Sequence, residues 1–414
     1  MINKKSIEIV EKANLNENFK KPLYQSYCFS NINNLIEYSF GISNQLVFPK
    51  DILSFKNKNF QKVILFFLDG FGWQFYEKFS DFDFFKIIDK YGIINKLTSQ
   101  FPSTTSAHVT KIHTNLTVGE SGLYEWNYYE PKVDAVISPL LFSFAGDNYR
   151  DTLKKFIDPK KILPRQTFYQ HLKKNHIKSF IFQYEAYTPS TYSKIIFKGA
   201  RVIPYKTLPE AIINLLSIAK KTTEKSYFFL YFDKIDSISH LYGPNSPQVE
   251  AQIISFLLLM EKIFLTQFNN LKNTLFLLTA DHGQVETNPE RTFYLNKKAP
   301  KIKSYLKKNK KGEYLVPAGS PRDMFLHINE EFLDKAKTYL EKKLKGIAEI
   351  YLTNDLINQG FFGPKISKIF LQRVGNLVIL PYKNESVWWF EKNRFEQHFF
   401  GHHGGLTKEE MEIP

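Results

Sequence analysis

The run Val63-Ile64-Leu65-Phe66-Phe67-Leu68 contains no polar position and stops abruptly at Asp69-Gly70. Six apolar residues without alternation predict a strand covered on both faces, as in a parallel sheet, with Asp69 at its carboxyl end. The same signature recurs in Ser226-Tyr227-Phe228-Phe229-Leu230-Tyr231-Phe232-Asp233 and in Thr274-Leu275-Phe276-Leu277-Leu278-Thr279-Ala280-Asp281. Lys178 to Tyr184 reads as a further strand. Between these runs, Leu208 to Leu216 and Pro247 to Phe268 carry apolar residues at three- and four-residue spacing, which predicts helices.

Alternating strand and helix predicts an α/β fold with a mostly parallel central sheet flanked by helices on both faces. Ligands of such sheets gather beyond the carboxyl ends of the strands, so Asp69, Asp281 and the segment after Phe232 are expected along one edge. Residues 1–55 have weak periodicity and are expected to wrap the core. Residues 56–414 are expected to form one catalytic domain with excursions near 128–164, 285–317 and 356–397. The middle excursion carries Lys307-Lys308-Asn309-Lys310-Lys311-Gly312 and reads as a solvated loop or flap.

The composition fits a folded enzyme. Of 414 residues, 43% are hydrophobic and 16% aromatic, which excludes disorder of the whole chain. The single cysteine, Cys28, cannot close an internal disulfide, and no signal-peptide pattern follows Met1, so a cytoplasmic location is expected. No apolar run approaches the roughly 18–20 residues of a membrane span. The formal charge of +15 invites a polyanion partner, yet only seven of 56 basic residues are Arg and most of the lysines are dispersed. Nucleic acid is therefore disfavoured as the primary partner.

Five short segments concentrate the chemistry-bearing side chains. Asp236 and His240 stand four apart, so one helical turn would project both from one face before Gly243-Pro244 ends it. Asp69 and the adjacent pair Asp281-His282 end apolar strands. Phe101-Pro102-Ser103-Thr104-Thr105 enters a helical pattern, where a hydroxyl meets unpaired N–H groups and the positive end of the helix dipole. Either Thr104 or Thr105 could be the reactive residue, and Ser103, Thr104 or Thr105 could serve as the helix cap. Gly401-His402-His403-Gly404-Gly405 supplies a further imidazole, from His402 or His403. Singly, each of these residues is an ordinary cap, turn or surface group. Together they read as one site for two divalent cations beside a nucleophilic hydroxyl.

In this order the segments resemble the alkaline phosphatase superfamily, most closely its type I phosphodiesterase/nucleotide pyrophosphatase branch. The likeness rests on LDG at Asp69, FPSTT ending at Thr105, DSISHLYGP, TADHG and HGGLTKEEM, and spans about residues 62–414. It implies that Asp236, His240 and His403 hold one metal and that Asp69, Asp281, His282 and Thr105 surround the other. It also implies that Thr105 is the nucleophile and that the metals are zinc, with manganese as an alternative.

The activity implied is hydrolysis of phosphodiester or nucleotide pyrophosphate bonds in a small phosphorylated substrate, through a phosphothreonine. Alternatives are a phosphomonoesterase or phosphonate hydrolase of the same superfamily, and, from a different class, a non-catalytic polyanion-binding protein. A sulfatase is disfavoured because no Cys/Ser-x-Pro-x-Arg segment follows the first strand. Three positions depart from the family or lack a role: His108 stands where an asparagine is common, Asn376 where an aspartate is common, and Arg322 is expected to pair with Asp323.

Overall fold

A computed structural model describes residues 1–53 and 59–414. The expected boundary between residues 55 and 56 lies outside the described residues. Five parallel strands form the central sheet: β1 (Lys62–Leu68), β2 (Lys178–Tyr184), β3 (Arg201–Tyr205), β4 (Ser226–Phe232) and β5 (Thr274–Ala280). Their order is β3-β2-β4-β1-β5, and every neighbouring pair is parallel. The uninterrupted apolar runs have their cause here, since β1 from Val63 and all of β4 are buried from end to end.

Register sets the site. Leu68 pairs with Phe232 on one side and Ala280 on the other, so Asp69, Asp233 and Asp281 leave the sheet at one level. Four helices matter most around it: α1 (Thr105–Thr114), α2 (Leu208–Lys221), α3 (Lys234–Tyr242) and α4 (Pro247–Leu259). Helix α2 turns Ala211, Ile212, Leu215, Leu216 and Ala219 into the core and starts with a capping box between Thr207 and Glu210. The N-terminal residues join the same core through Val10, Phe19, Tyr27, Phe29, Ile36 and Phe40.

A second cluster lies under a three-stranded antiparallel sheet of β6 (Met324–Leu326), β7 (Ala348–Leu352) and β8 (Leu377–Pro381), ordered β6-β8-β7. Here the lysine-rich stretch differs from the expected solvated loop. Leu295, Ala299, Ile302, Tyr305 and Leu306 are buried in this cluster, while Lys297, Lys298, Lys301 and Lys303 face outward. The apolar positions fall on one side of successive short helical turns, so the segment packs and the lysines remain solvated. The excursion near 356–397 supplies β8, the middle strand of that sheet. Among the described residues, no helix is long and apolar enough to cross a membrane.

Candidate active site and its metal-binding groups

Asp69 follows the last residue of β1 and is buried; Gly70 then turns with φ of +74°, a conformation that favours glycine. Asp281 and His282 follow β5. Gly283 is needed for close approach rather than for a left-handed turn: a Cβ there would lie 2.1 Å from the Glu409 carbonyl oxygen. Asp236 and His240 project from α3, which ends at Gly243 as the spacing predicted.

The remaining groups arrive from both ends of the chain. Thr104 is the N-cap of α1, its hydroxyl accepting from Ala107 N–H, and Thr105 is the first helical residue. The capping role thus falls to Thr104, and Thr105 turns into the site. Ser103 holds the C-terminal histidine segment in place through a bridge to Gly404 and a hydrogen bond from its hydroxyl to the Gly405 carbonyl oxygen.

These residues converge as two groups. Asp69, Asp281 and His282 form one, and Asp236, His240 and His403 the other, with donor atoms in each within 4.8 Å of one another. The His282 and His403 rings stack at 3.6 Å and join the two groups. Thr105 Oγ lies 3.2 Å from Asp69 Oδ1 and 3.2 Å from His282 Nε2. His402 stays outside, its Nε2 bonded to Gln397 Oε1 at 2.7 Å.

The donor set fits divalent cations on its own chemistry. Each imidazole commits Nδ1 to a backbone carbonyl: His240 to Gly401, His282 to Gly283 and His403 to Ser103. That fixes the tautomer and leaves Nε2 as a lone pair facing a carboxylate. The facing distances are 3.3 Å from His282 Nε2 to Asp69 and 3.4 Å to Asp281. From Asp236 they are 3.4 Å to His240 Nε2 and 3.6 Å to His403 Nε2. An ion with bonds of about 2.0–2.2 Å in tetrahedral geometry separates its ligands by roughly 3.3–3.6 Å. Asp281 makes the same point at one atom. Its Oδ1 accepts from Gly70 and His282 N–H, whereas its buried Oδ2 has no hydrogen-bond partner.

Electrostatics without cations are correspondingly strained. Burial, then the charges of Asp281 and Asp236, pushes the Asp69 carboxyl well above its ordinary range. Burial, with the charge of Asp236, pushes Asp281 up to about 7. Burial and the neighbouring His403 push His282 well down, and burial brings His403 to about 4. Burial opposes the charge on Asp236 as well, but His240 and His403 outweigh it and hold that carboxyl low. Positive charge is what this cluster lacks.

Two supporting side chains escaped the sequence reading. Tyr231 donates its hydroxyl to Asp69 Oδ2, and Gln284 donates its amide to Asp236 Oδ1. A tyrosine inside an otherwise apolar strand, and a buried glutamine directly after TADHG, were the available signals. Asp233, level with Asp69 and Asp281, instead accepts from Tyr187 and Lys234.

His108 has no ring nitrogen left for phosphate: Nδ1 bonds the Thr104 carbonyl oxygen at 2.7 Å and Nε2 accepts from Gln100 N–H at 3.0 Å. Arg322 pairs with Glu410 rather than Asp323, through Nε and Nη2 at 2.9 Å each, both partners fully buried. Asn376 exchanges two hydrogen bonds with the backbone of Ile328, both 2.8 Å, and acts as a structural brace.

Comparison with known proteins agrees with this geometry. Residues 63–406 match the family described as type I phosphodiesterase/nucleotide pyrophosphatase, and the chain belongs to that family. It is 28% identical over 141 residues to ectonucleotide pyrophosphatase/phosphodiesterase family member 3 of Mus musculus. That match covers 32% of this chain and 15% of the mouse protein, so it spans only a small part of that relative. Among solved structures, murine ectonucleotide pyrophosphatase/phosphodiesterase 5 superposes with a TM-score of 0.61 at 16% identity, covering 85% of this chain and 87% of that one. It has also been solved as an inactive threonine-to-alanine variant in complex with AMP. Phosphonoacetate hydrolase from Sinorhizobium meliloti, in complex with phosphonoacetate, gives 0.60 at 14% identity, covering 85% and 88%. These likenesses establish an alkaline phosphatase-like fold.

Proposed function

We propose that the chain is a phosphodiesterase that cleaves a phosphodiester or nucleotide pyrophosphate through a phosphothreonine at Thr105. The observation that carries this reading is the placement of Thr105 Oγ, 3.2 Å from Asp69 and from His282 at the first turn of α1. The AMP complex of the murine neighbour's inactive threonine variant supports both the substrate class and the role of the hydroxyl.

Asp69, Asp281, His282 and Thr105 would hold one divalent ion and Asp236, His240 and His403 the other, zinc suiting the mixed oxygen and imidazole donors and manganese being the second candidate. Bound there, such ions supply the positive charge that lowers a hydroxyl's pKa and offsets charge on a departing oxygen.

The chain's own residues then act in order. Thr105 Oγ, positioned by Asp69 and His282, attacks phosphorus; the Oγ–P bond forms and the ester P–O bond opposite breaks, releasing an alcohol or nucleotide. Water enters from the side just vacated, breaks the Oγ–P bond, returns a proton to Thr105 and leaves a phosphate monoester. The first amides of α1 would face the phosphoryl oxygens.

Thr105→Ala should abolish hydrolysis of a nitrophenyl phosphodiester while bound zinc falls little, because four of the six carboxylate and imidazole donors keep every contact and Asp69 and His282 lose only the hydroxyl. Undiminished turnover in that variant would end the assignment. A second reading, phosphonate hydrolysis, is favoured by the phosphonoacetate hydrolase likeness. Parallel assays of phosphonoacetate, a diester and a monoester separate the two. A non-catalytic polyanion binder would instead show no turnover and steeply salt-dependent nucleic-acid binding.

A further inference from the structure

Exposed large apolar residues gather beside His240, next to the second group of donors. There Phe399 and Phe400 are 41% and 46% exposed, next to Leu241 and Tyr242, also exposed. The Phe399 ring lies 4.8 Å from the His240 ring and 5.6 Å from that of His402.

The backbone that carries this pair is firmly held. Phe400 N–H donates to the His240 carbonyl oxygen at 2.8 Å. Thr287 answers with N–H to Phe400 at 2.8 Å and its hydroxyl to the Phe399 carbonyl oxygen at 3.2 Å. Two rings are thus presented to solvent on a fixed main chain. Water is a poor partner for them, and a ligand that covers them pays little ordering entropy.

Their direction from the nucleophile identifies that ligand. Thr105 Oγ touches His282; the His282 ring stacks on His403 at 3.6 Å; His403 lies 5.2 Å from His240; and His240 lies 4.8 Å from Phe399. With the attacking oxygen at the first group, paired cations would hold the departing oxygen at the second, to which His240 belongs. A charged side chain placed close to this shoulder, that of Glu286, is acidic. A Cβ at Gly243 would lie 3.7 Å from Phe400 Cβ and 3.8 Å from the Cγ of Glu286, an exposed carboxylate. The two rings offer the distal phosphates of a departing pyrophosphate no donor or counter-charge, whereas an uncharged apolar group would cover them.

We propose that Phe399 and Phe400 form the subsite for the departing group, and that this group is an apolar alcohol. The inference rests on Thr105 as nucleophile and narrows the substrate to phosphodiesters of such alcohols in preference to nucleotide pyrophosphates.

The test uses thymidine 5′-monophosphate esterified to 1-naphthol, octanol or methanol, with ATP as the pyrophosphate, on the zinc-loaded protein. The wild type should favour the naphthyl and octyl esters over methyl and ATP in kcat/KM. Phe399→Ser should lower the naphthyl and octyl values about tenfold more than the methyl value, the scale expected for losing contact with half a ring.

Equal losses on all esters, no loss on any, or a wild-type preference for ATP would overturn the proposal. Should no ester be hydrolysed, the phosphodiesterase reading itself fails. The subsite is then judged by calorimetry on Thr105→Ala, where naphthyl phosphate should bind more tightly than methyl phosphate and lose that advantage with Phe399→Ser. Equal binding of the two phosphates overturns it there.

Discussion

Stripping the divalent cations should weaken the fold far more at about pH 8 than at about pH 5, and Asp281 gives the size of the difference. Its carboxyl moves from an ordinary 3.8 up to about 7 in the cation-free fold, first through burial and then through the charge of Asp236. Between those values the folded chain holds a proton that the unfolded chain has released. Stability of the cation-free protein therefore falls as pH rises across that window and levels off above it. At about 1.36 kcal/mol per pH unit, the loss is roughly 2 kcal/mol at pH 5 and roughly 4 kcal/mol at pH 8. Bound cations remove this cost by pairing with the ionised carboxylates, so the gain from zinc should be about 2 kcal/mol larger at the higher pH from Asp281 alone. Asp69 is shifted in the same direction and adds to it. Urea unfolding with zinc and with a chelator, at both pH values, measures the four stabilities. A gain that is equal at the two pH values, or larger in acid, would refute the electrostatic reading of the site.

Other consequences can be checked independently. Tyr231→Phe and Gln284→Ala remove donors to Asp69 and Asp236 and should each weaken cation affinity by about tenfold or more, seen by competition with a chelating dye; unchanged affinities would make both side chains bystanders. Arg322→Met leaves the Glu410 carboxylate buried without its cation and should cost about 3–5 kcal/mol in urea unfolding, a cost that a merely decorative pair would not show. Burial holds His113 and His327 neutral, each at about 3. The unfolded chain protonates them below about 6.5, so each should cost roughly 2 kcal/mol on going from neutral pH to pH 5. Replacing both with Gln should flatten that acid limb, and an unaltered limb would count against them.

What could be read from sequence divides along physical lines. The buried parallel strands announced themselves because two covered faces forbid alternation, and the ligands at their ends followed from the geometry of parallel sheets. Asp236 and His240 were legible because helical spacing links them directly. Thr105 against Thr104 and His403 against His402 were not, since in each pair adjacent residues of the same type differ only in which way the backbone turns them. Capping by Thr104 and the Gln397 contact of His402 leave Thr105 and His403 as the members of each pair that enter the site, and both depend on tertiary placement. Lys297 to Lys311 misled for a related reason: charge density is visible in sequence, whereas the buried side of short turns becomes evident only when Leu295, Ile302 and Leu306 find their neighbours. Arg322 likewise found Glu410, 88 residues away, rather than the aspartate beside it.

Ser103 and Gly404 join residues 301 apart. During synthesis, the chain therefore carries Thr105 and its strand-end aspartates Asp69 and Asp281 long before the imidazole of His403 can be delivered. A ribosome-bound or proteolytically clipped chain that lacks this distal segment should be inert toward phosphate esters, however well its central sheet has formed. Catalytic competence would appear late and all at once, when the two distant ends of the chain close on one another.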